Sequence, residues 1–259
     1  MAVAPIHGKG TRVLVDQKDL SPFLKQTTIS ASMEASDVTT FGDLWRSHIK
    51  GQKDGTFSFD GLFAAAAATP AVPSADDIAE FLSDALGGST KHVVTVDFDR
   101  TSGGRAAMMR ADNTTYDITI PASDVVTIAV DAQASDGYAG GRMLMPLTTH
   151  GSTEDVNGAT VNTPGTTGAG GTAGGGVAHF HLTTQNSSGS VTLRVQHSTS
   201  GSSWATLVSS SAMTGVSGFA RSTVAGTVKE KLRGQIVGNS TDTVKGSAAI
   251  AFSRRTHRT

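Results

Sequence analysis

Apolar and polar residues alternate along much of the first 150 residues of the chain. This period of two is typical of a β-strand with one side in a core and the other in solvent. Four segments carry the pattern most clearly: Val13–Val15, Phe57–Phe59, Val94–Phe98 and Val126–Val130. The first 150 residues are therefore predicted to form half-buried strands.

One segment of this region has the period of a helix instead. Ser74 forms a capping box with Asp77, and the pair Gly87-Gly88 ends the pattern. Four apolar residues between these limits share one stripe: Ile78, Phe81, Leu82 and Ala85. The pattern predicts a β-sandwich or barrel with one flanking helix.

A change of composition divides the chain. Residues 151–176 are rich in Gly and Thr, which is typical of a flexible linker. From 177 to 259 we predict about six short strands separated by Gly, Asn and Ser turns, and no helix. The expected domains are a β domain over 1–150, a linker over 151–176 and an all-β, immunoglobulin-like sandwich over 177–259.

A charged segment with aromatic residues, Ser36–Asp54, interrupts the predicted strands of the first domain. It lies between a strand near Thr27–Ala31 and a strand starting at Thr56, and it contains Phe41 and Trp45. Loops of this length are usually functional or disordered, and the aromatic residues argue against disorder. Two interpretations remain open: a loop folded over its own core, and an arm that packs on a neighbouring subunit.

Composition and charge exclude several classes of protein. Apolar residues make up 37% of the chain and there is no cysteine, so thin β layers are expected, without disulfides or thiolate metal sites. No apolar run is long enough to span a membrane, and the start does not resemble a signal peptide. Residues 1–150 contain 12 Lys/Arg and 18 Asp/Glu, against 9 and 4 in 151–259. This acidic first part argues against ordinary nucleic-acid binding.

Three histidines are the candidates for a metal site. His179 and His181 share one face of a predicted strand, and His197 lies on a predicted neighbouring strand. Three imidazoles can bind a transition metal, but histidines that face solvent on a Thr/Ser-rich sheet are the more ordinary interpretation. No nucleophile elbow, phosphate-binding loop or metalloprotease helix occurs. We therefore expect no enzymatic activity and no cofactor.

Several segments together resemble the major tail tube proteins of long-tailed, non-contractile bacteriophages, especially those of actinobacterial hosts. In the first 150 residues the resemblance is carried by His7–Val13, Val15–Ser21, Thr39–Asp43 and Gly51–Gly61. In the second part, Val191–His197, Ser198–Trp204 and Ala251–Arg254 resemble the β extension that such proteins often carry.

The resemblance implies a mainly β fold, with a tail-tube sandwich or barrel, one flanking helix and an outer C-terminal sandwich. It also implies hexameric rings stacked into a conduit for DNA ejection. In such tubes the long loop reaches the next ring, which makes Phe41, Trp45, Arg46, Ile49 and Lys50 candidates for ring stacking. Aspartates of the acidic domain would face the lumen, and the candidates are Asp97, Asp99, Asp117 and Asp131.

The implied partners are further copies of the chain, a tape measure protein in the lumen, and tail terminator and distal tail proteins at the ends. Phage DNA would pass through without specific binding. The implied location is the tail of the virion, after synthesis in the cytoplasm of the host bacterium and without a membrane.

Two alternatives stay open beside this implication. In the first, the second part of the chain lines the tube as well, and three subunits close a ring. Alternatively, the protein is a surface-binding module of the virion exterior whose sandwich recognises carbohydrate through Trp204.

Overall fold

The chain forms a mainly β, antiparallel structure, as the sequence predicts. The computed structural model describes residues 8–40, 44–63, 86, 91–152, 155–163, 174–185, 190–214, 217–238 and 244–254. The predicted helix, Ser74–Gly88, lies outside these residues apart from Leu86. No helix among the described residues is both long and apolar enough to cross a membrane.

A short 3-10 helix, Gly8–Gly10, precedes the first strand. The strands are β1 (Arg12–Val15), β2 (Lys18–Asp19), β3 (Leu24–Asp37), β4 (His48–Leu62), β5 (His92–Asp97), β6 (Arg105–Thr119), β7 (Thr127–Ser152), β8 (Val156–Asn157), β9 (Val161–Asn162), β10 (Gly176–Gln185), β11 (Ser190–Ser198), β12 (Ala205–Ser209), β13 (Met213–Thr214), β14 (Gly218–Val224), β15 (Lys231–Gly238) and β16 (Val244–Arg254).

The chain divides into two compact units. The first unit comprises Met1–Pro22, Val93–Met108 and Ala139–Thr259, and the second comprises Phe23–His92 and Met109–Tyr138. Strands β6 and β7 contribute residues to both units because each is long enough to continue from one into the other.

The first unit contains a β-sandwich. One sheet has the strand order β14-β10-β16-β7-β6-β5-β1-β2, and the other has the order β12-β11-β15-β8. Large apolar side chains from both sheets, including Phe180, Leu193 and Ile250, form one buried cluster. Burial of these side chains away from water is the main stabilising term for such a layer pair.

The domain boundaries expected from composition do not separate these two units. Strand β16 pairs with β7 from Val244 opposite Ser152 to Phe252 opposite Arg142, and β10 pairs with β16. Strands from 177–259 therefore belong to the same sheet as strands from 1–150. The expected linker also contains β8 and β9, both of which pair with β15. A Gly-rich composition indicates a long connection, but it does not determine which strands before and after the connection pair with each other.

The second unit is built on a long β-hairpin. Strands β3 and β4 pair from Leu24 opposite Gly61 to Asp37 opposite His48, with two bulges along the ladder. The proximal half of β4 also pairs with β7, where Phe57 lies opposite Ala132 and Phe59 opposite Val130. These apolar residues bury one face of the sheet.

The predicted loop Ser36–Asp54 is thus strand at both of its ends. Strand β3 continues to Asp37 and β4 begins at His48, so the connection between the two strands covers only residues 38–47. The sequence did not reveal these strand segments because both of their faces are exposed, so the residues carry no apolar-polar alternation.

Candidate functional site

The distal half of the β3–β4 hairpin, residues 31–54, has its described side chains in solvent on both faces. Gly55 is the first buried residue of β4, seven residues after His48. At about 3.4 Å per residue the hairpin extends about 24 Å beyond that point. An isolated two-stranded ribbon is marginally stable in water, so this half requires a covering surface.

The tip of the hairpin, residues 38–47, presents large apolar side chains. Leu44 is 96% exposed and Trp45 is 86% exposed, and Ile49 on the adjoining strand is 60% exposed. Apolar exposure of this size on one projecting element is typical of a protein-protein contact.

Hydrogen bonds of Asp37 and Thr39 fix the start of the tip. Thr39 donates its backbone N–H to Asp37 Oδ1 at 2.9 Å, and Ser47 donates its N–H to Thr39 Oγ1 at 3.0 Å. Val38 also donates to the carbonyl of Ser47 at 2.9 Å. The hydrogen bonds from Thr39 lower the pKa of Asp37. These hydrogen bonds therefore hold together the two ends of the tip, at residues 38–39 and at Ser47.

Four of the five residues predicted for ring stacking lie on this element. Trp45 and Arg46 belong to the tip, and Ile49 and Lys50 are on β4, and all four are exposed. Phe41 lies outside the described residues.

The side of the second unit's sheet opposite the buried phenylalanines is polar. Residues that lie opposite each other on neighbouring strands point to the same face. Ser58 of β4 lies opposite both Thr28 of β3 and Asp131 of β7, so all three belong to this polar face. By alternation Asp54 and Asp60 of β4 point the same way.

Hydrogen bonds extend the polar face to β6 and along β7. Thr115 of β6 donates its hydroxyl to Asp131 Oδ2 at 3.0 Å, which places both side chains on this face. Asp117 follows Thr115 by two residues and shares its face. Gln133 donates its side-chain amide to Asp54 Oδ1. The polar face thus carries four exposed carboxylates from β4, β6 and β7: Asp54, Asp60, Asp117 and Asp131. Its paired positions in the described strands hold no Lys or Arg.

Two of the four predicted lumen aspartates lie on this face and two do not. Asp117 and Asp131 do. Asp97 is fully buried in the first unit at the end of β5, where its Oδ1 accepts the N–H of Arg100 at 2.9 Å. Burial raises the pKa of Asp97. Asp99 is in the turn that follows and accepts the hydroxyl of Thr101 at 2.8 Å. The prediction for Asp97 is wrong because β5 is buried on both faces, so the alternation of polar and apolar residues along it does not mark an exposed face.

Asp54 and Asp60 were missed by the sequence analysis. Asp60 had a visible signal, because it alternates with Phe57 and Phe59 and so belongs to the polar side of their strand. Asp54 had none, because it was assigned to the predicted loop.

Among the described residues the second unit's sheet ends at β3. Its strands follow the order β3-β4-β7-β6, and among the described strands β3 pairs with β4 and with no other strand. Unpaired edges are templates for another strand, and a head-to-tail match between two different edges closes a ring when the rotation allows.

No protein-family model matches the chain, and no curated protein matches it. Among solved structures, a chain in the virion of a native gene transfer agent particle aligns at 18% identity with a TM-score of 0.40, over 52% of this chain and 97% of that chain. A chain of the SPP1 tail tube aligns at 12% identity with a TM-score of 0.41, over 52% and 78%. The SPP1 Dit protein aligns at 9% identity with a TM-score of 0.37, over 95% and 99%.

The candidate metal ligands His179 and His181 are core residues of the first unit. Both imidazoles are fully buried and both bond to the hydroxyl of Thr95, from His179 Nδ1 at 2.9 Å and His181 Nε2 at 2.8 Å. His197 does not join them, because its Nδ1 accepts the N–H of Lys229 at 3.3 Å. The described residues contain no group of His, Asp or Glu arranged to hold a metal ion. The solvent-facing interpretation is also wrong for His179 and His181.

The direction of the hydrogen bonds through Thr95 follows from the carbonyl of Asp16. His181 Nδ1 lies 2.5 Å from the backbone oxygen of Asp16, which can only accept, so Nδ1 carries the proton. In the neutral ring Nε2 must then accept from Thr95, and the Thr95 oxygen accepts from His179 Nδ1. One threonine hydroxyl thus satisfies both imidazoles.

The buried histidines make the stability of the first unit depend on pH. Burial lowers the pKa of both His179 and His181 from the ordinary value of 6.5, and Arg221 also lowers that of His179, whereas Asp16 opposes the shift at His181. The folded state then binds fewer protons than the unfolded chain, so this stabilisation is present above about pH 6.5 and is lost as the pH falls below it.

We expect a lower free energy of unfolding at pH 5.5 than at pH 7.5, measured by chemical denaturation. His179→Asn, which keeps a donor near the Nδ1 position, should reduce this difference. His48→Gln on the exposed hairpin serves as the matched control. A dependence on pH that is the same in all three proteins would contradict the assignment to His179.

Trp204, the candidate carbohydrate platform, is occupied by contacts within the chain. The Arg233 guanidinium carbon lies 4.4 Å from the centroid of the indole ring, and the indole N–H donates to the carbonyl of Gly201 at 3.0 Å. Arg233 is held in place by Gln196, whose Oε1 accepts from Arg233 Nε at 2.7 Å. These contacts lock the 198–204 turn onto β15, so no observation favours the carbohydrate-binding alternative.

Proposed function

We propose that this chain is the major tail tube subunit of a long-tailed, non-contractile bacteriophage. Rings of the chain, six subunits each as the sequence resemblance implies, stack into a tube through which DNA leaves the virion. The observation that carries the proposal is the second unit, whose sheet ends at the edge strand β3 and has a polar acidic face and a projecting hairpin with its described side chains exposed on both sides.

Ring closure uses the outer edge of β3. This edge in one subunit pairs with the sheet of the next subunit, so the sheets of all subunits join into one closed barrel. Closure satisfies the backbone groups of this edge and removes a template for uncontrolled pairing.

The polar face lines the bore of the tube. Asp54, Asp60, Asp117 and Asp131 then face the passing DNA, and carboxylates repel phosphates at short range. The buried opposite face, with Phe57 and Phe59, packs toward the outside of the wall. Asp97 and Asp99 have no part in the bore.

The remaining assignments rest on the resemblance of the sequence to tail tube proteins. The tape measure protein occupies the lumen during assembly, and the terminator and distal tail proteins bind the two ends. The protein is a structural component of the virion tail and has no catalytic role. DNA passes without base-specific contacts.

Self-assembly of the purified full-length chain tests the proposal. At high protein concentration we expect rings and tubes in negative-stain electron microscopy, and a fast, concentration-dependent species in sedimentation velocity. A chain that remains monomeric at every concentration and ionic strength, with a native circular dichroism spectrum, would contradict it.

The charge of the bore gives a separate prediction. Tubes of Asp60→Lys/Asp131→Lys should bind short duplex DNA in co-sedimentation, because lysine contacts to phosphate release counterions. Binding should fall by about 10³-fold or more between about 50 and 200 mM salt if several subunits contribute. Wild-type tubes should not bind.

A matched control separates the bore from other surfaces. Asp99→Lys also introduces one lysine in place of an aspartate that accepts a threonine hydroxyl, but away from the polar face. We expect Asp99→Lys tubes to bind less DNA than Asp131→Lys tubes. Equal binding by the two single variants would mean that the polar face does not line the bore.

A further inference from the structure

The second unit's sheet has exposed apolar side chains at both of its ends. One end is the hairpin tip, with Leu44 and Trp45. The other end, here called the base surface, consists of four exposed residues: Leu62, Ile118, Ile120 and Val125. Ile120 is 76% exposed and Val125 is 54% exposed. These values are high for β-branched residues, whose burial is normally favourable.

Strand pairing brings the residues of the base surface together. Leu62, at the end of β4, lies opposite Thr127 at the start of β7, and Phe63 donates its N–H to the carbonyl of Val126 at 3.0 Å. Ile118 is at the end of β6, and residues 120–126 connect β6 to β7. The base surface is therefore one end of the sheet, and the tip is the opposite end of the same strands.

The two ends also differ in charge. Beside Leu44 and Trp45 the tip carries Arg46, and farther along the hairpin Lys50 and Lys53 are balanced by Glu34 and Asp37. The base surface is flanked by three exposed aspartates, Asp60, Asp117 and Asp124, and by one exposed lysine, Lys25. Arg46 of the tip can therefore pair with an aspartate beside the base surface while the apolar side chains of both surfaces leave water.

We propose that the hairpin tip of one subunit docks on the base surface of a second copy of this chain in the adjacent ring. This inference rests on the proposed function and adds the receiving surface for the tip. Because two different surfaces meet, the contact is heterologous, and each subunit that adds to a stack presents a fresh surface for the next. Stacking then continues without an intrinsic limit, and a separate protein must stop it.

The absence of cysteine from the chain permits a direct cross-linking test. The variant Leu44→Cys/Ile120→Cys, assembled into tubes and treated with a short bis-maleimide, should yield a ladder of covalent dimers, trimers and higher multimers on denaturing gels. Each single-cysteine variant should give no species beyond the dimer. Mixing the two single variants should raise the dimer fraction without producing a ladder.

A second pair of cysteines provides the matched control. Leu44→Cys/Tyr138→Cys keeps the tip cysteine but moves the other to an exposed residue beside Gly55, midway along the sheet. We expect no ladder from this pair. Normal tubes with equal cross-linking by both pairs would overturn the docking site while leaving the proposed function intact. Failure of the wild-type chain to form rings or tubes would overturn both.

Discussion

A chain whose hairpin tip is replaced by a two-residue turn is expected to form rings but no tubes. The variant joins Val38 to Ser47 through Asn-Gly in place of residues 39–46. The replacement fits the fold, because Val38 and Ser47 are already joined by a backbone hydrogen bond and Asn-Gly favours the type I′ turn of a tight hairpin. It removes Leu44, Trp45 and Arg46 and shortens the reach of the arm.

Electron microscopy and sedimentation velocity measure this result. The expected species is a single ring or a short stack, where the wild type gives long tubes. Trp45→Ser is a milder variant that leaves the turn intact, and it should shorten the tubes or raise the concentration at which they form. Tubes of normal length from the Asn-Gly variant would show that the tip does not stack rings.

The second large effect is expected at Thr95, in the core of the first unit. Thr95→Val keeps the shape of the side chain but leaves His181 Nε2 without a donor and His179 Nδ1 without an acceptor. An unsatisfied buried polar group costs about 1–3 kcal/mol, so loss of both bonds should lower the free energy of unfolding by about 2–5 kcal/mol. Chemical denaturation measures this loss.

Thr95→Ser retains the hydroxyl and serves as the control. It loses one methyl group, so we expect a cost of about 1 kcal/mol, close to that of one buried methylene group. Equal losses for valine and serine would mean that the hydroxyl does not hold the two imidazoles. Nitrogen chemical shifts of the rings offer an independent check, since both histidines should carry their proton on Nδ1.

The predictable part of the fold is the part with one buried face. Val13, Phe57, Val94 and Ile128 were assigned to strands because polar neighbours alternate with them, and all four are buried in strands. The distal hairpin had no such pattern because its described side chains are exposed on both faces. A single sequence cannot show burial that only a neighbouring copy would supply.

Strand partners were harder to predict than strands. The Gly-rich composition of 151–176 suggested a boundary, but β16 adds to β7 and extends the sheet of the first unit. Hydrogen bonding between strands requires only backbone groups. The local composition of a strand therefore does not indicate which other strand it pairs with. One consequence is that the C-terminal part is not a removable outer domain, because deleting it would expose the edge of β7.

The candidate site was predictable in its chemistry but only partly in its residues. Asp117 and Asp131 were identified from alternation on half-exposed strands, where the rule holds. The same rule failed for Asp97 and for the two histidines, because β5 and β10 are covered on both faces. A polar residue on such a strand belongs to the core and not to a polar surface.

A cryo-electron microscopy map of tubes grown from the full-length chain tests the central claim most directly. The account predicts a closed barrel in which the outer edge of β3 of each subunit pairs with the sheet of the next subunit. It also predicts that Asp54, Asp60, Asp117 and Asp131 face the bore. Tubes in which the bore is lined by β11 and β15 of the first unit, with the polar face turned outward, would contradict it.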